Sequence, residues 1–210
     1  MIMLIFDSIH EIAELHREVG IVLGTFDGLH VGHKTLIERH VEACKRLGVK
    51  SVVFTYSNHP RELTNPELKS LRLIAVDEKI LRIEELGVDY LVLIEFDEAL
   101  MSTEAERFVE EYLIDGMDVR LISVGFDFKF GRRAAGNPEL LEKLSRKYGY
   151  ELQVLDPVEI DGEKVSSSAI RKHLRHGEIK EAQRLLGRPY AVSGVIKQGK
   201  QLGRQLGYPT

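Results

Sequence analysis

The chain has 210 residues, of which 43% are hydrophobic and 30% are charged, and its 33 acidic and 29 basic side chains give a net charge of −4. This balance is ordinary for a globular protein and excludes the disordered and collagen-like classes. It does not favour a broad nucleic-acid-binding face, although it is compatible with a local basic pocket.

Cysteine usage and hydropathy indicate where the protein resides. The single cysteine, Cys44, excludes an internal disulfide framework and a multi-cysteine zinc site, and it fits a reducing compartment. The apolar start at residues 1–6 is short, lacks a basic flank and precedes Asp7, so it does not have the features of a signal peptide. No apolar run reaches the length of a membrane span. We expect a cytoplasmic protein with small-molecule partners, neither membrane nor nucleic acid; the sequence indicates no oligomeric state.

Short β-branched runs alternate with stretches of helical periodicity over most of the chain. Strands are predicted at 21–24, 51–56, 90–94, 119–124 and 152–155. Helices are predicted between them at 36–47, at 77–86, at 103–114 with a Ser102/Thr103 cap, and at 138–148. The alternation predicts a Rossmann-like, doubly wound parallel sheet with helices on both faces. Ligands of such sheets bind beyond the carboxyl ends of the strands, so we expect the chemistry in the loops that follow them.

The pattern changes towards the carboxyl end of the sequence. A helix is predicted at 178–186 and stops at Gly187, and a β-like stretch follows at 190–196. Residues 197–210 are rich in glycine and basic side chains. These changes in pattern predict a domain boundary close to Gly187.

Residues 24–33 follow the first predicted strand and open the first helix. Glycines there let the backbone approach a ligand, and the free N–H groups of a helix start attract phosphate. His30 and His33 are three residues apart, so they face the same way on a helical turn. One histidine alone would more often be a surface or capping residue, but two that flank Gly32 favour phosphate chemistry. The alternatives are weaker, since a metal pair lacks a third ligand nearby and the P-loop pattern is absent; Asp27 is expected to hold the turn.

A second polar segment, residues 165–171, opens another predicted helix. Its three serines supply an N-cap and further hydroxyl donors. Ser167 and Ser168 lie four and three residues before Arg171, so the three side chains can share one face. An arginine beside two hydroxyls suits a polyphosphate, while a capped helix with a solvated arginine is an equally ordinary arrangement. Together with the first segment, the phosphate interpretation is favoured.

Two further loops follow predicted strands. Residues 124–131 contain three phenylalanines that alternate with polar residues between glycines, which suits a pocket for a flat ring. Packing of these rings into the core is the competing interpretation, and Asp127 is the residue that packing explains least. Residues 57–60 follow the second strand, and we expect them to form another wall of the cleft.

The combination of these segments resembles the bacterial riboflavin kinase/FAD synthetase family, and specifically its N-terminal FMN adenylyltransferase domain, over nearly the whole chain. Residues 24–33 resemble the HxGH signature of a wider nucleotidyltransferase superfamily, and residues 165–171 resemble its serine-rich second signature. The narrower resemblance rests on residues 124–131, 185–190 and 203–210, the last being similar to the opening of a riboflavin kinase barrel. Ser168 stands where threonine is common in the family, and Asn58 where proline is common.

The resemblance implies a nucleotidyltransferase of the HxGH type that transfers AMP from ATP to FMN and releases FAD and pyrophosphate. It implies that the catalytic residues are His30, His33 and Arg171. It implies that ATP is bound by Gly24, Phe26, His30, Gly32, His33, Asp127, Ser167, Ser168 and Arg171. It implies that the flavin is bound by His59, Pro60, Asp127 and Phe128. Mg²⁺ is expected to accompany ATP, and no protein ligand for it is identified.

The resemblance also divides the chain into two parts. Residues 1–187 correspond to the adenylyltransferase domain, and residues 188–210 to the first strand of a β-barrel kinase domain. In the family an asparagine follows the Pro-Thr pair and a catalytic glutamate lies further on, and neither is among these 210 residues. Riboflavin phosphorylation is therefore expected only of a longer natural protein. Two alternatives stay open: a nucleotidyltransferase with another phosphorylated acceptor, and a non-catalytic regulator that binds flavin or nucleotide.

Overall fold

The computed structural model describes residues 2–8, 11–12, 14–15, 17–64, 72–115, 117–195, 197, 204 and 207–208. The main feature of this part of the chain is a six-stranded sheet in which every neighbouring pair is parallel. Its strands are β1 (Leu4–Phe6), β2 (Glu18–Leu23), β3 (Lys50–Tyr56), β4 (Tyr90–Ile94), β5 (Asp118–Gly125) and β6 (Glu151–Leu155). A small antiparallel hairpin of β7 (Glu159–Ile160) and β8 (Glu163–Lys164) follows.

Helices connect the strands and continue beyond the sheet. They are α1 (Val31–Leu47), α2 (Arg61–Thr64), α3 (Val76–Glu84), α4 (Glu98–Ser102), α5 (Ala105–Val109), α6 (Pro138–Tyr148), α7 (Ser167–Arg175) and α8 (Ile179–Leu186). A π-helical turn at Glu110–Ile114 continues α5, and a 3₁₀ turn lies at Arg132–Ala134. Gly48 and Gly149 end α1 and α6 in the left-handed conformation. No helix of the described residues is long and apolar enough to cross a membrane.

The strand order places a topological switch point at the middle of the sheet. The order is β1-β4-β3-β2-β5-β6, so the chain proceeds from β2 to one side through β3 and to the other side through β5. In this register Leu23 of β2 lies beside Phe54, and Val22 lies beside Ser123 of β5. Ligands of open parallel sheets bind in the crevice where the direction reverses. The loops that follow β2 and β5 flank this crevice.

Alternating side chains of the central strand face two separate cores. Ile21 and Leu23 belong to one cluster, in which Phe108 and Leu141 come from helices on that face. Val22 belongs to the other cluster, which α1 and α3 complete; Ile37, Val41 and Ile83 are among its members. Helices therefore cover both faces of the parallel sheet, and the predicted doubly wound α/β fold is confirmed. Side chains of α7 and α8 form a third, smaller hydrophobic cluster.

The prediction of one helix at 103–114, capped by Ser102 or Thr103, is wrong about where and how that helix begins. Residues 98–102 form a separate helix, whose N-cap is Asp97, with its carboxylate accepting the N–H of Leu100 at 2.8 Å. The hydroxyls of Ser102 and Thr103 both donate to the carbonyl of Ala99 at 2.9 Å, so they end α4 rather than begin the next helix. The three-residue edge strand β1 was not predicted, because its pairing with β4 lies far away in sequence.

The stretch predicted to be β-like at 190–196 is not a strand in the described residues. Residues 190–195 have no regular secondary structure, and none of them pairs with a strand among the described residues. A strand is stable only when neighbouring strands satisfy its backbone groups, which explains the difference. The predictions at residues 196, 198–203, 205–206 and 209–210, which include most of the 203–210 segment, lie outside the described residues.

Candidate active site

The loop that follows β2 contains two strained residues. Phe26 and Leu29 have φ angles of 47° and 38°, although neither is glycine. The Leu29 N–H donates to the Phe26 carbonyl at 3.2 Å, and the Phe26 ring is fully buried. A Cβ at Gly24 would lie 2.7 Å from that ring, so glycine is needed there. The loop is thereby held in one conformation that leads directly into α1.

The two histidines predicted from the motif stack on each other at the beginning of α1. Their ring centroids are 3.6 Å apart and the planes differ by 14°. His30 is the N-cap, and its Nδ1 accepts the backbone N–H of His33 at 3.2 Å. Burial lowers the pKa of His30 to about 4 and holds the pKa of His33 well below its usual range. Both rings are therefore neutral at pH 7.

The hydrogen bond at Nδ1 fixes which atom of His30 can donate. A neutral imidazole that accepts at Nδ1 carries its proton on Nε2, so His30 offers an N–H donor from that atom. Nδ1 of His33 is buried and has no hydrogen-bond partner among the described residues. Free backbone N–H groups of the first turn and the positive end of the helix dipole lie beside this pair. The arrangement suits the oxygens of a phosphate group.

Asp27 joins three separate parts of the chain. Its Oδ1 accepts the N–H of Leu73 at 2.9 Å, and its Oδ2 forms an ion pair with Arg171 of α7. The backbone carbonyl of the same residue accepts the Ser167 hydroxyl at 2.8 Å. The predicted role in holding the turn therefore extends further, because Asp27 also docks the start of α7 on the β2 loop.

The serine-rich segment begins α7 as its sequence predicts. Ser166 is the N-cap, and its hydroxyl accepts the N–H of Ala169 at 3.1 Å. Ser167 and Arg171 contact Asp27, whereas Ser168 is exposed. Together these groups bring two hydroxyls and a guanidinium to the mouth of the crevice.

A cavity of about 520 Å³ contains residues from all four segments that the sequence singled out. Of the site residues implied by the resemblance, Gly24, Phe26, His33, His59, Pro60, Asp127, Phe128, Ser167, Ser168 and Arg171 line it. Pro60 and Phe128 give it apolar walls, and the Nδ1 of His59 accepts the N–H of Arg61 at 3.1 Å. Burial lowers the pKa of His59. This volume is within the range typical of small-molecule sites.

A smaller cavity of about 210 Å³ adjoins the first. Of the implied residues, it is lined by His30, Gly32, His33, Asp127 and Ser167. The sequence analysis did not identify its other wall, which consists of residues 155–158, at and after the end of β6, and of Lys164 in β8. Lys164 Nζ lies 3.3 Å from Asp127 Oδ2 and 4.1 Å from the centre of the Phe126 ring. The strand predicted at 152–155 was a signal for residues 155–158, since ligands bind beyond the carboxyl ends of such strands, but a two-residue hairpin strand has no periodicity that could have indicated Lys164.

The three phenylalanines after β5 divide between the two interpretations that the sequence left open. Phe130 is buried in the core and contacts Phe108 at a centroid distance of 5.5 Å. Phe128 stacks on Phe130 at 5.5 Å and faces the larger cavity, while Phe126 is 36% exposed and lines the smaller one. Asp127 lies between them and lines both cavities.

A layer of charged residues behind the site was not predicted. Lys79 of α3 is buried and donates to the carbonyls of Thr25 at 3.1 Å and Tyr56 at 2.9 Å, which fixes the carboxyl ends of β2 and β3. Burial lowers the pKa of this lysine to about 8. Arg72 donates two hydrogen bonds of 2.5 Å to the carboxylate of Glu62. Periodicity could not distinguish these residues from solvated charges on helices.

Asn58, where the family commonly has proline, joins the loops after β3 and β4. Its side-chain amide donates to the Phe96 carbonyl at 2.9 Å and accepts the Phe96 N–H at 2.8 Å. These two bonds hold the segment before His59 and Pro60 against the neighbouring loop. The departure from the family pattern therefore has a structural role here.

Comparison with known proteins identifies the family. The FAD synthetase family model matches residues 12–169, which is most of the chain. The chain belongs to the FAD synthetase family. A riboflavin kinase family model matches residues 186–210 as well. The stacked histidines and the three serines lie within the first match, whereas Arg171 lies between the two matches.

Individual relatives agree with this assignment. A bifunctional riboflavin kinase/FMN adenylyltransferase of Pseudomonas fluorescens is 36% identical over 203 residues, which cover 97% of this chain and 65% of that protein. The chain thus spans about 65% of the length of the curated relatives it matches.

Two solved structures have a similar fold. A crystal structure described as a macrolide-efflux protein from Streptococcus pneumoniae has a TM-score of 0.83 and 31% identity, and the match covers 100% of this chain and 67% of that one. A pantoate-β-alanine ligase from Francisella tularensis, complexed with β-γ ATP and β-alanine, has a TM-score of 0.54 and 15% identity, and the match covers 93% of this chain and 90% of that one. At that identity the second likeness concerns the fold alone.

Proposed function

We propose that this chain is an FMN adenylyltransferase. An oxygen of the FMN phosphate attacks the α-phosphorus of ATP, the bond from that phosphorus to the bridging oxygen of the β-phosphate breaks, and FAD and pyrophosphate form. The observation that carries the proposal is that two cavities meet at His33, Asp127 and Ser167, one apolar enough for a flavin and one beside a phosphate-binding helix start. Membership of the FAD synthetase family supports it.

The nucleotide is assigned to the smaller cavity and the crevice mouth. The ribose and base would lie against residues 155–158 and the Phe126 ring, with the α-phosphate at the first turn of α1. Ser167, Ser168 and Arg171 would hold the β- and γ-phosphates. Arg171 would then bind phosphate from its place against Asp27, which limits the movement of its side chain.

FMN is assigned to the larger cavity. Its isoalloxazine ring would lie between Pro60 and Phe128, with His59 at the rim, and its phosphate would point to the histidine pair. Asp127, which lines both cavities, would orient the nucleotide and the flavin relative to each other. The reacting oxygen and phosphorus are thereby brought together, which is a large part of what such a reaction requires.

The chemistry needs stabilisation of charge more than proton transfer. The FMN phosphate is already an anion, so no general base is required to activate it. Charge develops on the α-phosphate oxygens and on the bridging oxygen, and the Nε2–H of His30 and the α1 N–H groups are placed to bind it. His33 contributes a second ring, which stacks on that of His30, and its buried Nδ1 has no hydrogen-bond partner in the part of the chain that the structure describes.

Mg²⁺ would enter this site with the nucleotide. The described residues contain no group of three or more His, Cys, Asp or Glu side chains that could hold a metal ion. Mg²⁺ commonly keeps several waters and binds through substrate phosphates, so this donor set fits an ion carried by ATP. When bound, the ion would neutralise charge on the pyrophosphate that leaves.

The domain division and the kinase activity are part of the same proposal. We assign adenylyl transfer to residues 1–187, and residues 188–210 to the beginning of a riboflavin kinase domain, where the second family model matches. A longer protein with a complete kinase domain would supply FMN from riboflavin. We place the reaction in the cytoplasm, where ATP is available.

Chromatography of products tests the proposal. The protein is incubated with ATP, Mg²⁺ and either FMN or riboflavin, and the flavins are separated while pyrophosphate is measured. We expect FAD and pyrophosphate in equal amounts from FMN and no FAD from riboflavin. Turnover only with another phosphorylated acceptor would contradict the choice of flavin, and binding of ATP and FMN without turnover would indicate a regulator.

A further inference from the structure

A partly buried arginine reaches the loop before His30 from the other end of the chain. Arg188 follows the left-handed Gly187 that ends α8, and only 14% of its side chain is exposed. Its Nη1 donates to the backbone carbonyl of Leu29 at 3.3 Å across a sequence separation of 159 residues. Leu29 directly precedes His30, so this contact lies one residue from the side chain that is proposed to donate a hydrogen bond to the α-phosphate.

The burial of this guanidinium is not explained by its ion pair alone. Nε of Arg188 is buried, has no hydrogen-bond partner among the residues that the structure describes, and lies 3.6 Å from Oε1 of Glu78. That oxygen already accepts the Nε of Arg82 at 2.8 Å. Removing most of a guanidinium from water, with its Nε unpaired among the described residues, costs free energy that other contacts must offset.

The neighbouring contacts show what the arginine holds in place. Leu29 has a φ angle of 38°, a conformation that costs free energy for a residue with a side chain. A Cβ at Gly187 would lie 2.9 Å from Cγ2 of Val31, so the turn before Arg188 packs closely against the first residue of α1. Gly187 and Arg188, which follow α8, therefore hold the strained Leu29 in place.

We propose that Arg188 is a positioning residue for adenylyl transfer. By binding the Leu29 carbonyl, it keeps the strained peptide in the conformation that places the His30 ring at the start of α1. This inference rests on the proposed function, in which His30 stabilises charge on the α-phosphate. It also means that a residue within the segment matched by the riboflavin kinase model belongs to the adenylyltransferase site.

The test compares Arg188 with Arg82, because both side chains lie against the carboxylate of Glu78. Arg188→Met removes the contact with Leu29, whereas Arg82→Met removes a partner of the same Glu78 oxygen without touching the loop. For Arg188→Met we expect kcat to fall by roughly 10- to 100-fold, with KM for ATP and FMN within about threefold, because small misplacement of a reacting group costs up to about 10²-fold. Arg82→Met should keep the kcat of the unmodified chain.

A second readout does not depend on turnover. In protein with ¹³C-labelled histidine, the ring signals of His30 should shift or broaden in Arg188→Met, while those of His40, which is buried on the same helix, should stay unchanged and report an intact fold. If the methionine variant does not fold, Arg188→Gln replaces it, since its amide stays polar but is too short to reach the Leu29 carbonyl.

The outcomes separate the two proposals. An unchanged kcat with unchanged His30 signals in a folded Arg188 variant overturns the positioning role, and so does a loss of kcat without any change at His30. If the unmodified chain forms no FAD, the proposed function has failed, and the His30 signals alone decide whether Arg188 holds the loop.

Discussion

The start of α1 has a pair of histidines, His30 and His33, and the middle of the helix has a third, His40. The two sites differ in whether their ring nitrogens have hydrogen-bond partners. Burial lowers the pKa of both His30 and His40 to about 4, and both rings are neutral at pH 7. At His40 both ring nitrogens have side-chain partners: Nδ1 lies 2.8 Å from the Ser123 hydroxyl, and Nε2 lies 3.4 Å from Sγ of Cys44. At the helix start, the His33 Nδ1 has no partner among the described residues, and the pair lines a cavity. Burial and a lowered pKa therefore do not identify a reactive histidine, but unsatisfied hydrogen-bonding capacity beside a cavity does.

The largest expected effect comes from removing the rings at the helix start. His30→Ala and His33→Ala should each lower kcat for FAD formation by on the order of 10²–10³, because each removes a group that stabilises developing charge. The thermal midpoint should fall by only a few degrees, since the described contacts that are lost are local; His30→Ala removes the N-cap of α1, which is typically worth about 1 kcal/mol.

His40→Gln is the matched control for these variants. It should retain the kcat of the unmodified chain per folded molecule, because the ring lies in the core and its partners do not line the cavities. Near-normal turnover in His33→Ala would contradict a catalytic role for the pair at the helix start. A loss of kcat in His40→Gln as large as that in the His30 and His33 variants would contradict the assignment of His40 to the core alone.

A second test uses the pH dependence of stability. The unfolded state binds a proton at His40 below about pH 6.5, whereas the folded state does not until about pH 4, so protons favour unfolding in this range. The free energy of unfolding should therefore fall as pH falls from about 6.5 to 4, and His40→Gln should remove up to about 3 kcal/mol of that fall. Urea titrations at pH 7 and pH 4.5 measure it, and equal losses in both proteins would show that the folded state already accommodates a charged His40.

The smallest expected effect is on stability, and it tests how closely His40 and Cys44 pack against β2. A Cβ at Gly20 would lie 2.4 Å from Sγ of Cys44 and 3.3 Å from Cβ of Leu121. Gly20→Ala should therefore destabilise the fold by about 1–3 kcal/mol through overpacking. The double variant with Cys44→Ala should recover part of that loss in the same urea titration. Strict additivity of the two changes would mean that the backbone moves and that the sulfur is not the obstacle.

The contrast also explains how far the sequence alone could go. The strand-helix alternation, the spacing of His30 and His33 and the serine cap of α7 are local patterns, and the structure has each of them. Lys79 and Arg188 act through backbone carbonyls of other segments, and nothing in their local sequence specifies those partners. The break before α5 was missed because Ser102 and Thr103 can cap a helix at either end by hydrogen bonding to local backbone groups.

The sequence separations of the site contacts have a consequence for the order of folding. Asp27 and Arg171 are 144 residues apart, and Leu29 and Arg188 are 159 apart, whereas β2, β3 and β4 pair within the first 94 residues. Contacts this distant are closed late, because the loop between them must first become ordered. During synthesis from the amino end, the central strands can pair while α7 and Arg188 have not yet been made. A nascent chain would thus have most of its sheet before it has a place for ATP, and affinity for the nucleotide would appear only when the last helices dock.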